Sequence, residues 1–121
     1  MAWTVRLHDE FEDEVRNLPP AVRVALLAHA RLLAIEGPTL GRPYADTLAG
    51  SRHRNMKELR FAAGDGAWRV AFAFDPERAA ILLVAGDKSG VSQRRFYRTL
   101  IAVADRRFDE YLKGVGHGTH A

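Results

Sequence analysis

Three short β-forming runs decide the fold: NMKELRF (55–61), WRVAFAF (68–74) and AAILLVAGDK (79–88). Period-two alternation in the second run places Trp68 and every second residue after it on one apolar face. Arg69 then shares the other face with only two alanines, which leaves room above its guanidinium. In the first run Glu58 and Arg60 fall on this same side. The runs therefore predict an antiparallel sheet with one cationic face, suited to a phosphate backbone or an acidic partner.

The segments before and after these strands predict one further strand and three helices. Alternation over residues 2–7 predicts an opening strand, and apolar spacing predicts a helix over 9–18 and a second over 20–37. Residues 37–55 predict a loop, long enough to be functional. A last helix follows residues 86–90, and residues 114–121 predict an unstructured tail. The predicted order, β-α-α-β-β-β-α with the helices on one sheet face, is of the α+β class.

Length and composition limit what the chain can be. Its 121 residues, 47% hydrophobic and 27% charged, predict a single domain spanning 1–121. The absence of cysteine excludes disulfides and thiolate metal sites. No apolar run approaches the roughly 18 to 20 residues of a membrane span, so we expect no membrane association and a cytoplasmic protein. The net charge is +3, and cations crowd residues 52–98 while acids crowd 9–14, which predicts a basic and an acidic patch.

Two side chains stand out as candidates for binding an anion. Arg69 lies mid-strand beside small neighbours, and its planar fork suits a pair of phosphate oxygens. Tyr97 opens the last helix among Arg94 and Arg95, and an aromatic ring among arginines can stack on and clamp single-stranded nucleic acid. Arg60 has weaker support, because Glu58 on its own face could make it part of a structural ion pair.

Histidine chemistry offers one candidate acid or base. His53 lies between Arg52 and Arg54, immediately before the basic strand, and histidine titrates near neutral pH. His29 falls on the apolar stripe of the second helix, which indicates a packing role. The sequence contains no glycine-rich phosphate loop, zinc signature or nucleophile elbow, so we expect no metal and no cofactor.

Taken in order, the segments GSRHRNMKELRF, WRVAFAFDPERAAILLVAGDKSG and FYRTLIAVADRRFDEYL resemble the RelE/ParE superfamily of bacterial toxins from type II toxin–antitoxin pairs. Within it, they resemble the HigB-like, phage-related branch. The resemblance covers nearly the whole chain. It implies a RelE-like fold and a small ribonuclease that enters the ribosomal A site, cuts messenger RNA and is silenced by a cognate antitoxin, expected to be a helix-turn-helix protein.

The resemblance also implies roles for individual residues. Arg69 would contact the scissile phosphate and Lys88 would support it, while Tyr97 would stack on a nucleotide or take part in proton transfer. The base stays open among Glu58, His53 and Tyr97. The cations expected to hold RNA are Arg52, Arg54, Lys57, Arg60, Arg94 and Arg95.

Two other functions remain open from the sequence. Some superfamily members poison gyrase without being nucleases, which would make the chain a protein-binding toxin. A non-catalytic RNA-binding module would bind its ligand with strong salt dependence and leave it intact.

Overall fold

The β-rich stretch forms the centre of a five-stranded sheet. The structure, a computed structural model, describes residues 2–118, with side chains through residue 114. Its strands are β1 (Thr4–Leu7), β2 (Ala45–Thr47), β3 (Lys57–Ala63), β4 (Gly66–Phe74) and β5 (Ala79–Asp87). Its helices are α1 (Asp9–Val15), α2 (Pro20–Glu36) and α3 (Gln93–Gly118), with a 3-10 turn at Gly37–Thr39. The predicted α+β class is confirmed. Within the described range, no helix is both long and apolar enough to cross a membrane.

The strands lie in the order β1-β5-β4-β3-β2. β3, β4 and β5 form an antiparallel meander, β2 adds antiparallel to β3, and β1 runs parallel to β5. Arg60 lies opposite Arg69 in the β3–β4 register, and Glu58 lies opposite Ala71. Residues paired across an antiparallel ladder share a face. The prediction that Glu58, Arg60 and Arg69 stand on one side of the sheet is therefore confirmed.

Several predicted boundaries differ from the structure, and α1 ends at Val15 rather than at residue 18. β2 lies within residues 37–55, predicted as a loop, because three residues between Pro43 and Gly50 are too few for alternation to show. β3 occupies 57–63, whereas the run NMKELRF covers 55–61. α3 continues through residue 118, so the prediction of an unstructured tail is wrong for residues 114–118. The remaining residues of the predicted tail, 119–121, lie outside the described residues.

The helices cover both faces of the sheet, which corrects the prediction that they pack on one face. α1 and α2 cover the face with the large side chains of β4, and α3 covers the face with its alanines. β5 is apolar on both sides, a pattern typical of a strand covered twice. The first core includes Phe11, Val22, Leu26, Leu33, Leu59, Val70, Phe72 and Leu82, and the second includes Met56, Ala71, Ala73, Ile81, Leu83, Phe96, Leu100, Ala104 and Phe108.

A glycine sets how closely the start of α3 approaches the sheet. A Cβ atom added at Gly86 would lie 2.8 Å from Cε1 of Phe96. Contacts that short do not occur without movement, so any larger residue would lift the helix. Gly86 is the cross-strand partner of Arg69. The first turns of α3 are therefore seated directly beside that arginine.

Arg107 joins the two helical layers at the margin of the sheet. The β4–β5 register shifts between Ala71 and Phe72, which leaves Leu83 without a partner in β4. The carbonyl of Leu83 accepts a 2.8 Å hydrogen bond from Nη1 of Arg107. The same guanidinium donates to both carboxylate oxygens of Glu14. Arg107 of α3 thus binds both the register shift of β5, at Leu83, and the end of α1, at Glu14.

We expect Arg107→Ala to lower the free energy of unfolding by about 2–3 kcal/mol, because the Leu83 carbonyl and Glu14 lose a charged hydrogen-bond donor. Urea denaturation followed by circular dichroism measures this loss. Arg106→Ala is the matched control: its side chain is 50% exposed against 6% for Arg107, although it too pairs with α1. Its loss should be much smaller, since exposed ion pairs contribute little. Equal losses in the two variants would contradict the structural role of Arg107.

Candidate active site

A groove of about 660 Å³ opens where the start of α3 meets the β2–β3 edge of the sheet. Four residues singled out from the sequence lie in it, namely Glu58, Arg60, Arg94 and Tyr97. The sheet supplies the first two and the helix supplies the others. The full lining comprises Arg42, Asp46, Thr47, Leu48, Ala49, Glu58, Arg60, Gln93, Arg94 and Tyr97.

The carboxylate of Glu58, which lines the groove, lies between two guanidinium groups; Arg60 also lines the groove, whereas Arg69 is not among the lining residues. Nη1 of Arg60 donates to Oε2 of Glu58 at 2.9 Å. Nε of Arg69 lies 4.0 Å from Oε1 of Glu58, and these two side chains are only 9% and 5% exposed. The open space expected above Arg69 is therefore filled, because α3 covers it. The cluster contains two cations and one anion, so it attracts a further negative group.

Two atoms of this cluster have no hydrogen-bond partner. Three buried side-chain polar atoms lack a partner within the described part of the chain, and two of them are Oε1 of Glu58 and Nε of Arg69. Buried polar atoms are normally paired, and exceptions need an explanation such as a catalytic role. One of the two accepts hydrogen bonds and the other donates. Together they can take a proton from a hydroxyl and bind an oxygen anion beside it.

Tyr97 lies beside this pair, where α3 begins, and is partly buried. Burial raises the pKa of the Tyr97 phenol above its ordinary value of 10; the Glu58 carboxylate raises it further, and Arg69 opposes the rise. The ring packs edge-on against Phe96, with centroids 5.1 Å apart. A phenol at its ordinary pKa already keeps its proton at neutral pH, and the rise at Tyr97 acts in the same direction. Tyr97 can therefore act as a proton or hydrogen-bond donor at the floor of the groove.

Sequence reasoning missed three residues of the rim: Arg42, Asp46 and Gln93. Arg42 pairs with Asp46 at 2.8 Å; the Arg42 side chain is exposed and that of Asp46 is partly exposed. The Arg42 guanidinium is also the main reason that the pKa of Asp46 is lowered. The one signal that pointed to Arg42 and Asp46 was the length of the segment 37–55. Only pairing with β3 shows that this segment forms a wall of the groove.

Three predicted cations lie away from the groove. Lys57 faces the α2 side of the sheet, where its Nζ reaches the carbonyl of Pro38 at 3.5 Å, because it is one residue out of phase with Glu58. Lys88 follows β5 two residues beyond Gly86, about 7 Å along the strand, and does not line the groove. Arg95 lies on the other flank of α3, at an apolar pocket of about 260 Å³.

His53 and its neighbours also lie apart. Nε2 of His53 contacts Oδ1 of Asp109 at 2.7 Å, and Arg52 pairs with the same carboxylate. Asp109 is twelve residues after Tyr97 on α3, which corresponds to about 18 Å along a helix. Arg54 is exposed on this segment. The structure therefore does not bring His53, Arg52 or Arg54 to the Glu58–Arg69 cluster.

One group of potential metal ligands occurs among the described residues. His8, Glu10 and Glu110 have ligand atoms within 4.8 Å of one another. Both carboxylates already pair with Arg106, and Nδ1 of His8 accepts a hydrogen bond from the backbone of Glu10. This arginine neutralises the charge that a cation would need. The ion pairs with Arg106 therefore account for the clustering of these three side chains without a metal ion.

Comparison with known proteins identifies the family. Residues 13–109 match the model of the family described as Phage derived protein Gp49-like (DUF891). The chain belongs to this Gp49-like family. The matched range runs from α1 to Asp109 of α3 and includes every residue that lines the groove.

Two similar proteins come from Mycobacterium tuberculosis. The chain is 48% identical over 88 residues to the toxin candidate HigB2, a match that covers 72% of this chain and 43% of HigB2. It is 52% identical over 81 residues to the toxin candidate HigB3, covering 67% of this chain and 68% of HigB3. The Gp49-like chain thus spans less than half the length of HigB2. The HigB-like branch inferred from the sequence is confirmed.

Solved structures show that this fold is that of RelE proteins. A double mutant of the Escherichia coli toxin RelE in the free state superposes with a TM-score of 0.60 at 14% identity, covering 84% of this chain and 96% of RelE. The RelBE2 toxin–antitoxin complex of Mycobacterium tuberculosis gives 0.55 at 16%, covering 74% and 94%. The Pyrococcus horikoshii RelE–RelB complex gives 0.54 at 18%, covering 75% and 100%. The predicted RelE-like fold is confirmed.

Titration of Tyr97 provides a test of the cluster. We expect its phenol to lose its proton above the ordinary pKa of 10, and Glu58→Gln to lower that pKa without abolishing the rise, because burial is the larger cause. Tyrosine-selective 13C NMR measures each phenol separately. Tyr111 is the internal control, since its raised pKa depends on burial and Asp75. A Tyr97 pKa that does not respond to Glu58→Gln would contradict the proximity of the two groups.

Proposed function

We propose that the chain is the toxin of a type II toxin–antitoxin pair and that it cleaves messenger RNA on the ribosome. The observation that carries the proposal is the pair of unpartnered polar atoms, Oε1 of Glu58 and Nε of Arg69, at the place where Glu58 and Tyr97 line a groove. An acceptor and a cationic donor side by side suit a reaction that moves a proton and builds negative charge. Cleavage of RNA through its own 2′-hydroxyl is such a reaction.

The groove residues divide the work as follows. Glu58 takes the proton of the 2′-hydroxyl, which then attacks the adjacent phosphorus. Arg69 and Arg60 stabilise the additional negative charge on the five-coordinate phosphorane, where one well-aimed donor contributes on the order of 3 kcal/mol. Tyr97, whose phenol carries its proton at neutral pH, donates a hydrogen bond or that proton to the departing 5′-oxygen. The products are a 2′,3′-cyclic phosphate and a free 5′-hydroxyl.

The burial of Arg69 beneath α3 supports a cleavage reaction that depends on the ribosome. Free RNA entering the groove meets Arg42, Arg60 and Arg94 first, because Glu58 and Arg69 are nearly sealed. The reaction needs Tyr97 to shift and the RNA to be held bent over the floor. A ribosome that presents its messenger in a fixed conformation supplies that alignment, which is a large part of the barrier in reactions of this kind.

The relatives support the same assignment. HigB2 and HigB3 are described as toxin candidates, and two of the similar folds were solved in complex with RelB antitoxins. A cognate antitoxin is accordingly the proposed protein partner of this chain.

Replacement of the proposed base tests the chemistry. We expect Glu58→Gln to reduce cleavage of ribosome-bound messenger by about 100- to 10,000-fold, the usual contribution of a positioned base, and to relieve growth arrest on expression in bacteria. Primer extension on transcripts measures the cleavage, and circular dichroism verifies the fold. Tyr97→Phe, which keeps the ring and removes the hydroxyl, provides a second variant with the same expected direction.

Lys57→Gln is the matched control for Glu58→Gln. It alters the adjacent residue, which the sequence also singled out but which faces the other side of the sheet. It should leave cleavage and growth arrest unchanged. Equal cleavage by wild type and Glu58→Gln would refute the proposed base. Growth arrest with intact transcripts and DNA-damage signalling would instead favour a gyrase-poisoning toxin.

Neighbouring arginines of α3 test which flank of the helix meets RNA. Arg94 lines the groove and Arg95 lines the apolar pocket on the opposite flank. We expect Arg94→Gln to weaken binding of a single-stranded RNA and to reduce the slope of log K against log salt by about 0.7, as for one lost phosphate contact. Arg95→Gln should leave the slope unchanged. Fluorescence anisotropy between 50 and 200 mM salt measures both, and the reverse result would place RNA elsewhere.

A further inference from the structure

α2 is apolar on both of its faces. Val22, Leu26 and Leu33 point inward and are buried. Five large apolar side chains are exposed within the described part of the chain, and three of them lie on α2: Val24 at 69%, Leu27 at 65% and Ile35 at 69%. Single exposed apolar residues are common on protein surfaces, whereas several grouped on one helix indicate an interaction site.

The outward stripe has the spacing of a helix–helix seam. Its central positions, Ala21, Val24, Ala28, Arg31 and Ile35, are separated by three, four, three and four residues, and Leu27 lies at their flank. This is the repeat by which one helix accepts another along its length, and the small alanines allow the two backbones to approach closely. The shape of the face therefore fits an α-helix of a partner protein.

The single charge on the stripe specifies the partner further. Arg31 is exposed and has no ion pair or side-chain hydrogen bond to any residue that the structure describes. A helix packed along the stripe would surround this guanidinium with apolar atoms unless it offered a carboxylate. A second copy of this chain offers no acid within residues 21–35: a parallel pair would set Arg31 against Arg31, and an antiparallel pair centred on Ala28 would set it against apolar residues.

We propose that the outward face of α2 is the docking site of the cognate antitoxin, which lays one amphipathic helix along residues 21–35 and presents a carboxylate to Arg31. This inference rests on the proposed function. α2 covers one face of the sheet, and Glu58 and Arg69 lie on the opposite face, which α3 covers with Tyr97. Binding at α2 and chemistry in the groove are therefore separable by mutation.

The probe is the product of the open reading frame adjoining this gene, purified alone and titrated into the full chain. We expect Leu27→Glu and Ile35→Glu to weaken binding at least about 30-fold, as for the loss of a buried interface anchor, and to restore growth arrest in cells that express both proteins. Val91→Glu is the matched control, because Val91 is an exposed apolar residue next to α3. It should leave binding unchanged. Tyr97→Phe should remove toxicity and retain binding.

A charge exchange tests the role of Arg31. Arg31→Glu should weaken binding about 10-fold or more, and replacing one acidic residue of the partner helix by lysine should restore it, a rescue that a merely structural defect would not allow. Several outcomes overturn the inference: no binding of wild type, stripe variants that bind like wild type, or a chain that is dimeric in solution and becomes monomeric with Ile35→Glu. Absence of growth arrest by wild type would count against the proposed function alone, since the binding measurement does not depend on it.

Discussion

The site depends on how closely α3 lies on the sheet. The face beneath it is built from alanines and a glycine, and Phe96 touches the sheet at a point where even one Cβ atom would collide. This contact carries the first turns of the helix down beside Arg69 and positions Tyr97 over Glu58. With larger residues at these positions the same elements would form, but the carboxylate and the guanidinium would face water. Close packing therefore determines both the burial of the cluster and the raised pKa of Tyr97.

A second set of contacts fixes the far half of α3 and, through it, the segment that leads into β3. Asp105 is buried and accepts hydrogen bonds from the hydroxyl of Ser51 and the backbone of Arg52. Asp109 holds the ring of His53 in the same way. Arg52 and His53 are thus engaged in anchoring, whereas Arg60 and Arg94 of the same basic patch face the groove. The acidic residues of α1 similarly meet Arg106 and Arg107.

Much of the sheet could be predicted from the sequence, because alternation is a local property. The run from Trp68 to Phe74 identifies its own faces, and the register of β3 follows from placing Leu59 with the apolar side. Alternation does not show what covers each face of the sheet. Small residues at 71 and 73 are equally consistent with open space and with a helix in close contact, and only the two-sided apolar character of β5 distinguishes them. Lys57 is in phase with Leu59, so alternation alone places it on the apolar face, and its expected contact with RNA comes from the resemblance. Arg42 and Gln93 reach the groove through long-range pairing that no local pattern contains.

The parallel pairing of β1 with β5 joins residues 4–7 to residues 79–82 across most of the chain. Because a ribosome makes the chain from the N-terminus, β1 has no neighbour to pair with until residues 79–82 have been made. The groove forms later still, because the residues of its helical wall begin at Gln93. No nascent fragment that ends before Tyr97 holds the complete cluster. A protein proposed to attack translation therefore lacks its complete site until its own translation has passed Tyr97.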